Sequence, residues 1–128
     1  MLVELKLPDT NLFGARRNRW SVWKLSTDLY DAVSQILEQK VSWQVRSAMP
    51  SVTREGKPIE QLTADPKALL IIGQDAAFEA NNHRERQLKL RTFELFRRDT
   101  RNIEIVTFTE LYERASFIVD KARRSKGA

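Results

Sequence analysis

The sequence predicts an α/β domain of three layers, with a mixed or mainly parallel sheet in the middle and helices on both faces. Three observations lead there. Residues 2–7 read Leu-Val-Glu-Leu-Lys-Leu, and their apolar and charged positions alternate with the two-residue period of a strand. Residues 68–72 form a short unbroken apolar run closed by Gly73, the pattern of a strand buried on both sides. Amphipathic stretches of helical period follow each strand, so the order is strand, helix, strand, helix, strand, helix. The 128 residues are expected to form a single domain.

Each element has a local reason. Pro8 ends the first strand because it has no N–H for a ladder. Residues 9–25 read as a polar, basic connection. Ser26 or Thr27 then caps a helix whose first turn holds Asp28 and Asp31, where the helix dipole favours acids. Leu29, Val33, Ile36, Lys40 and Trp43 fall on one stripe of that helix, which is expected to end between Val45 and Met49, ahead of Pro50. Residues 50–67 are loop-like. A second helix is expected over 83–98, opened by His83, and a third strand over 103–108. Thr109 is expected to cap the last helix, with Leu111, Ala115, Ile118, Val119 and Ala122 as its buried stripe.

Composition removes several kinds of chemistry. The chain has no cysteine, which excludes disulfides, thiolate zinc sites and a cysteine nucleophile. Its one histidine, His83, excludes any site needing two imidazoles. No apolar run approaches the length of a transmembrane helix, and residues 1–8 are too short and too charged for a signal peptide. A reducing cytoplasm is the expected compartment. A net charge of +5 suits a polyanionic partner such as nucleic acid.

Three groups of residues can carry chemistry. Glu4 and Lys6 lie two apart on a strand and therefore project from the same face. The carboxylate suits a hard divalent cation, and the ammonium suits a phosphate or an attacking water. A plain salt bridge accounts for the same spacing. Gln35, in mid-helix beside the apolar stripe, is placed to reach that face. The connection interleaves Arg16, Arg17, Arg19 and Lys24 with Trp20 and Trp23, as either a phosphate- and base-binding stretch or indole lids flanked by solvated cations. Arg97, Arg98 and Arg101 read as a helix ending that aids solubility, and Asp75 and Glu79 as acids without a partner.

With these residues in view, residues 3–8 and the long helix with Gln35 resemble the second half of a PD-(D/E)XK nuclease core. Residues 68–73, 89–98 and 102–115 resemble the nuclease domain of Shedu antiphage proteins, and the likeness is weakest over 46–66. The resemblance implies a restriction-endonuclease-like core and a metal-dependent DNA endonuclease using Mg2+ or Mn2+, within a prokaryotic defence effector that assembles into oligomers. Carried over by position, Glu4 is the metal-binding carboxylate, with the Leu5 backbone adding an oxygen. Lys6 is the catalytic lysine, and Gln35 the helix glutamine that supports the site. Two features depart from the pattern. The superfamily's second metal-binding Asp comes from a strand before Glu4, and only three residues precede Glu4 here. Gln39 stands where related nucleases often carry Tyr. The core is therefore expected to lack its first hairpin, to be weak or inactive as this short chain, and to expose a strand edge at residues 2–7 that a second copy or an upstream segment would cover. The alternative expectation is a non-catalytic module for nucleic-acid binding or oligomerisation.

Overall fold

A computed structural model describes residues 1–19, 22–48 and 66–127. The elements are β1 (Leu2–Leu5), β2 (Phe13–Arg19), β3 (Val22–Leu25), α1 (Thr27–Ala48), β4 (Ala68–Ile71), a 3-10 turn (Asp75–Phe78), α2 (His83–Asp99), β5 (Ile103–Val106) and α3 (Phe108–Lys126). The main sheet has the order β1-β4-β5 and is parallel throughout, with Leu2 opposite Ala68 and Ala68 opposite Ile103. The α/β class holds, with helices flanking a parallel sheet. Among the described residues β1 is an edge strand.

Strand alternation decides where the core lies. Leu70, Ile72, Ile103 and Ile105 turn to one face, where they meet Leu29, Ala32 and Ile36 of α1 and Phe93 of α2. Phe13, Phe78 and Phe93 continue this core as an edge-to-face series, with ring centres 5.5 and 5.4 Å apart. On the opposite face of β1, Val3, Leu5 and Leu7 are exposed.

The basic connection is not irregular. Residues 13–25 contain an antiparallel pair, β2 with β3, in which Phe13 faces Leu25 and the register shifts twice. The arginines between the apolar residues hide the strand period from a reading of hydropathy. The pair docks on α2: the Trp23 backbone N–H donates to Thr92 Oγ1 at 3.1 Å. The Lys89 ammonium lies 5.4 Å from the Phe13 ring centre and 4.8 Å from that of Trp23, and donates to the Glu79 carbonyl at 2.7 Å. Burial lowers the Lys89 pKa, against the opposing pull of the Glu79 charge. Trp23 is thus a lid on the core.

The helix caps follow their side chains. Ser26 Oγ accepts from the Leu29 N–H and donates to the Asn11 carbonyl, so Ser26 opens α1. α2 opens at His83 as expected, and Asn82 is its cap. Thr107 caps α3 in a reciprocal pair with Glu110, two residues earlier than expected. Thr109 instead accepts from the Asp75 N–H.

Two expectations change more deeply. Arg97 does not serve solubility. Its guanidinium donates to the Ile105 carbonyl and to both oxygens of Glu110, pairs with Glu94, and lies 4.7 Å from the Phe93 ring centre. It ties α2, β5 and α3 together. Nor is the apolar stripe of α3 buried: Leu111, Ile118 and Val119 are exposed, and the helix has no buried residue. Geometry explains this. Nineteen helical residues run about 28 Å, whereas the four residues of β5 run about 13 Å, so the helix outreaches the sheet. Among the described residues its polar attachments lie in the first turns: the Phe108 N–H to the Gly73 carbonyl, Thr109 to the Asp75 N–H, Glu110 to Arg97, and the Arg114–Glu104 ion pair.

Gly73 ends β4 with φ at 72°, and a Cβ there would sit 2.9 Å from the Leu12 side chain. Gly73→Ala is expected to cost about 1–3 kcal/mol in urea unfolding, since strain and overlap add. Phe93→Ala should cost about 3–5 kcal/mol and Ile118→Ser less than about 0.5 kcal/mol. Equal losses from these last two would mean that α3 is packed after all.

Candidate functional site

Glu4 and Lys6 leave β1 on the side that faces α1. The Lys6 N–H donates to the Ile71 carbonyl at 2.9 Å, so the ladder with β4 carries on one residue past the strand and holds Lys6 in phase with Glu4. Gln35 and Gln39 stand four apart on α1 and so share a helix face. The four head groups meet. Lys6 Nζ lies 3.0 Å from Glu4 Oε1 and donates to Gln35 Oε1 at 2.6 Å, and Gln39 Nε2 donates to Glu4 Oε2 at 3.0 Å. The two charged side chains are 28% and 19% exposed for Lys6 and Glu4, shielded without being sealed from solvent.

The hydrogen bonds from Gln39 and from Lys6, with the Lys6 charge, hold the Glu4 carboxyl below its usual range, against the upward push of burial. Both carboxylate oxygens are engaged. Lys6 spends two of its three N–H donors on Glu4 and Gln35, which leaves one for an oxygen of an incoming group.

Sequence reasoning predicts the meeting of Glu4, Lys6 and Gln35 but not the part of Gln39. The four-residue spacing from Gln35 was the available signal. The other nominated residues lie elsewhere. Arg16, Arg17 and Arg19 are on β2, where only their backbone is described, and Trp20 lies outside the described residues. Lys24 is exposed on β3, with its alkyl chain over Gly14, in the strand pair that docks on α2. Asp75, read as unpaired, holds Arg86 at 3.1 Å.

A hard dication takes about six oxygens, commonly with one or two carboxylates among them. The cluster offers one carboxylate, already hydrogen-bonded twice, and Leu5 could add a carbonyl. Among the described residues no three acidic or imidazole side chains come together. These donors alone do not make a complete dication site.

Concavities open on either side of Gln35. One, of about 460 Å³, is lined by Lys6 and Asn11 and by the acids Asp9, Asp28 and Asp31. The other, of about 400 Å³, runs along α1 past Gln39 and Glu38 to Ser42, Trp43 and Arg46. Trp43 is 49% exposed there, not buried on the stripe where its spacing put it.

The chain is thus a parallel α/β domain that holds an acid–amine–amide cluster between an edge strand and the longest of the described helices. The sequence family described as Shedu protein SduA, C-terminal, matches residues 1–112, and the chain belongs to that family. It is also 28% identical over 121 residues to the Shedu protein SduA of Bacillus cereus (strain B4264). That similarity covers 93% of this chain and 30% of the relative, so the chain spans under a third of the length of the curated relative it matches. Among the described residues no helix is long and apolar enough to cross a membrane.

Glu4 ionises below the ordinary carboxyl value, so its share of stability is fully present above that value and is lost as pH falls through the lowered one. Gln39→Leu removes the largest cause of the shift. Carbon-detected NMR titration should then find the Glu4 carboxyl moved up toward the usual range, with a shallower acid loss of stability. An unmoved titration would show that Gln39 does not hold the carboxylate in solution.

Proposed function

We propose that this chain is the DNA-cleaving domain of a prokaryotic antiphage effector and that it hydrolyses phosphodiester bonds. The observation that carries this reading is the convergence of Glu4, Lys6 and Gln35 in one cluster, in a chain of the Shedu family. Lys6 binds a non-bridging phosphate oxygen through its remaining N–H and offsets the charge that grows there during attack. Gln35 fixes the ammonium by accepting from it, and Gln39 fixes the Glu4 carboxylate by donating to it. Neither amide adds a charge. The parent reaction uses Mg2+ or Mn2+. Because the cluster supplies a single carboxylate, the ion's remaining oxygens would come from the Leu5 carbonyl, from water, from the substrate or from groups outside the described residues.

DNA is the proposed partner, and the cytoplasm the compartment. A second copy, or the remainder of a longer protein, would cover the β1 edge and the exposed stripe of α3. The exposed apolar side chains on both elements favour a second reading, a non-catalytic assembly module that holds nucleic acid.

Nicking of supercoiled plasmid separates the two. With Mg2+ or Mn2+ the wild-type chain should nick, slowly because its own donors do not complete a dication site, EDTA should stop it, and Glu4→Ala or Lys6→Ala should lower the rate by at least about 100-fold, the size typical for loss of one electrostatic or acid–base group. Equal rates for wild type and both variants would remove this cluster from the chemistry. DNA binding without nicking would favour the assembly module.

A further inference from the structure

We infer that two copies of this chain join their β1 edges in an antiparallel pair centred on Leu5, which sets Glu4 of each copy opposite Lys6 of the other. The inference does not rest on the hydrolysis reading. It names the occupant of the edge and the register of the contact. Three observations carry it.

The first is the set of open backbone groups. The Leu2 and Lys6 N–H groups donate to the Lys67 and Ile71 carbonyls, so the even residues of this stretch turn their backbone toward β4. Backbone direction alternates along a strand, so Val3, Leu5 and Leu7 turn theirs to the free edge. Among the described residues the Leu7 carbonyl accepts from the Thr10 N–H, and no strand lies against the rest. An antiparallel copy uses these groups two by two: Val3 with the partner's Leu7, Leu5 with the partner's Leu5, and Leu7 with the partner's Val3.

The second is charge. This register sets Glu4 against the partner's Lys6, and Lys6 against the partner's Glu4, at positions where Cβ atoms stand about 4.5–5.5 Å apart. The neighbouring registers, centred on Glu4 or on Lys6, bring like charges face to face, which is unfavourable. On the other face Val3, Leu5 and Leu7 are 45%, 63% and 70% exposed, and the pairing sets aliphatic against aliphatic.

The third is the helix behind the cluster. Gln35 reaches Lys6 and Gln39 reaches Glu4, so α1 runs against the direction of β1 and Leu37 is level with Leu5. A two-fold axis at Leu5 therefore exchanges positions equally far to either side of Leu37. Asp28, in the first turn of α1, and Arg46, in its last, are such a pair. Both share the helix flank of Gln35 and Gln39, from which each is seven residues distant. Asp28 lines the concavity that holds Lys6, and Arg46 the one that reaches Leu2. The acidic start of one helix thus comes level with the basic end of the other, a second match of charge that the strand register did not presuppose. The partner's Glu4 also stands against the Lys6 N–H that Glu4 and Gln35 leave open, so pairing and a phosphate compete for this ammonium.

An edge contact of this size belongs to the weak class, so sedimentation equilibrium of the full chain should span about 1 to 200 µM. Over that range the mass should rise from 14.9 kDa toward twice that value. Glu4→Lys and Lys6→Glu should each weaken self-association by about 10-fold or more, because both matches become repulsions. An equimolar mixture of the two variants should pair as wild type does. Leu5 meets its own copy, and the chain has no cysteine. Under mild oxidation Leu5→Cys should therefore yield a disulfide-linked dimer, with Cα atoms about 5.5 Å apart, while Val3→Cys should cross-link at least about 10-fold more slowly. The Leu5 side chain is exposed, so this variant should fold, as circular dichroism would register.

A wild-type chain that stays monomeric across the range would overturn the pairing. So would a dimer untouched by both charge variants, and its loss in Ile118→Ser would place the contact on α3 instead. Cross-linking of Val3→Cys as fast as of Leu5→Cys would overturn the register.

Discussion

The candidate site depends on the parity of one four-residue strand. Along β1 and the two residues that follow it, the even positions Leu2, Glu4 and Lys6 face α1, and the odd positions Val3, Leu5 and Leu7 face away. A slip of one residue against β4 would send the carboxylate and the ammonium to the far side and bring three aliphatic side chains against two glutamines. What prevents the slip is a ladder that runs from Leu2 against Ala68 to the Lys6 N–H on the Ile71 carbonyl. Charge placement is thus settled by backbone pairing before any side chain makes a contact.

The amides complete what the ladder begins. A bare acid–amine pair at a half-shielded surface is worth little, because solvent competes and both side chains rotate. Here each charged head is held from the helix side by a neutral group, Gln35 accepting from Lys6 and Gln39 donating to Glu4. The pair is oriented without a change of net charge, and one ammonium N–H stays open. The carboxylate is held in its ionised form by the same contacts.

The parts of the molecule legible in the sequence are those governed by short-range rules. The same-side projection of Glu4 and Lys6 follows from a two-residue period, and the approach of Gln35 from a strand followed by a long helix. The run at 68–72 reads as a buried strand because it is too short for a helix and is closed by Gly73. The rest needs long-range information. The strand pair over residues 13–25 is masked because arginines occupy positions that a hydropathy pattern would have to leave apolar or uncharged. Arg97 looks solvated until Glu110, thirteen residues away, folds back onto it. Trp43 and the stripe of α3 have helical spacing, which says that a helix has an apolar side but not whether anything lies against it. Gln39 reads as a departure from a familiar pattern and becomes informative only once Glu4 is seen within its reach.

The guanidinium of Arg97 has a mechanical consequence. It joins three elements at the root of α3, and swinging that helix as a body would strip Glu110 from a cation that is mostly shielded, a costly separation. The base of α3 is therefore clamped while the remaining turns stand clear as a cantilever. A force applied at the tip would be delivered to the end of β5 and the close of α2, not dissipated in a loose joint.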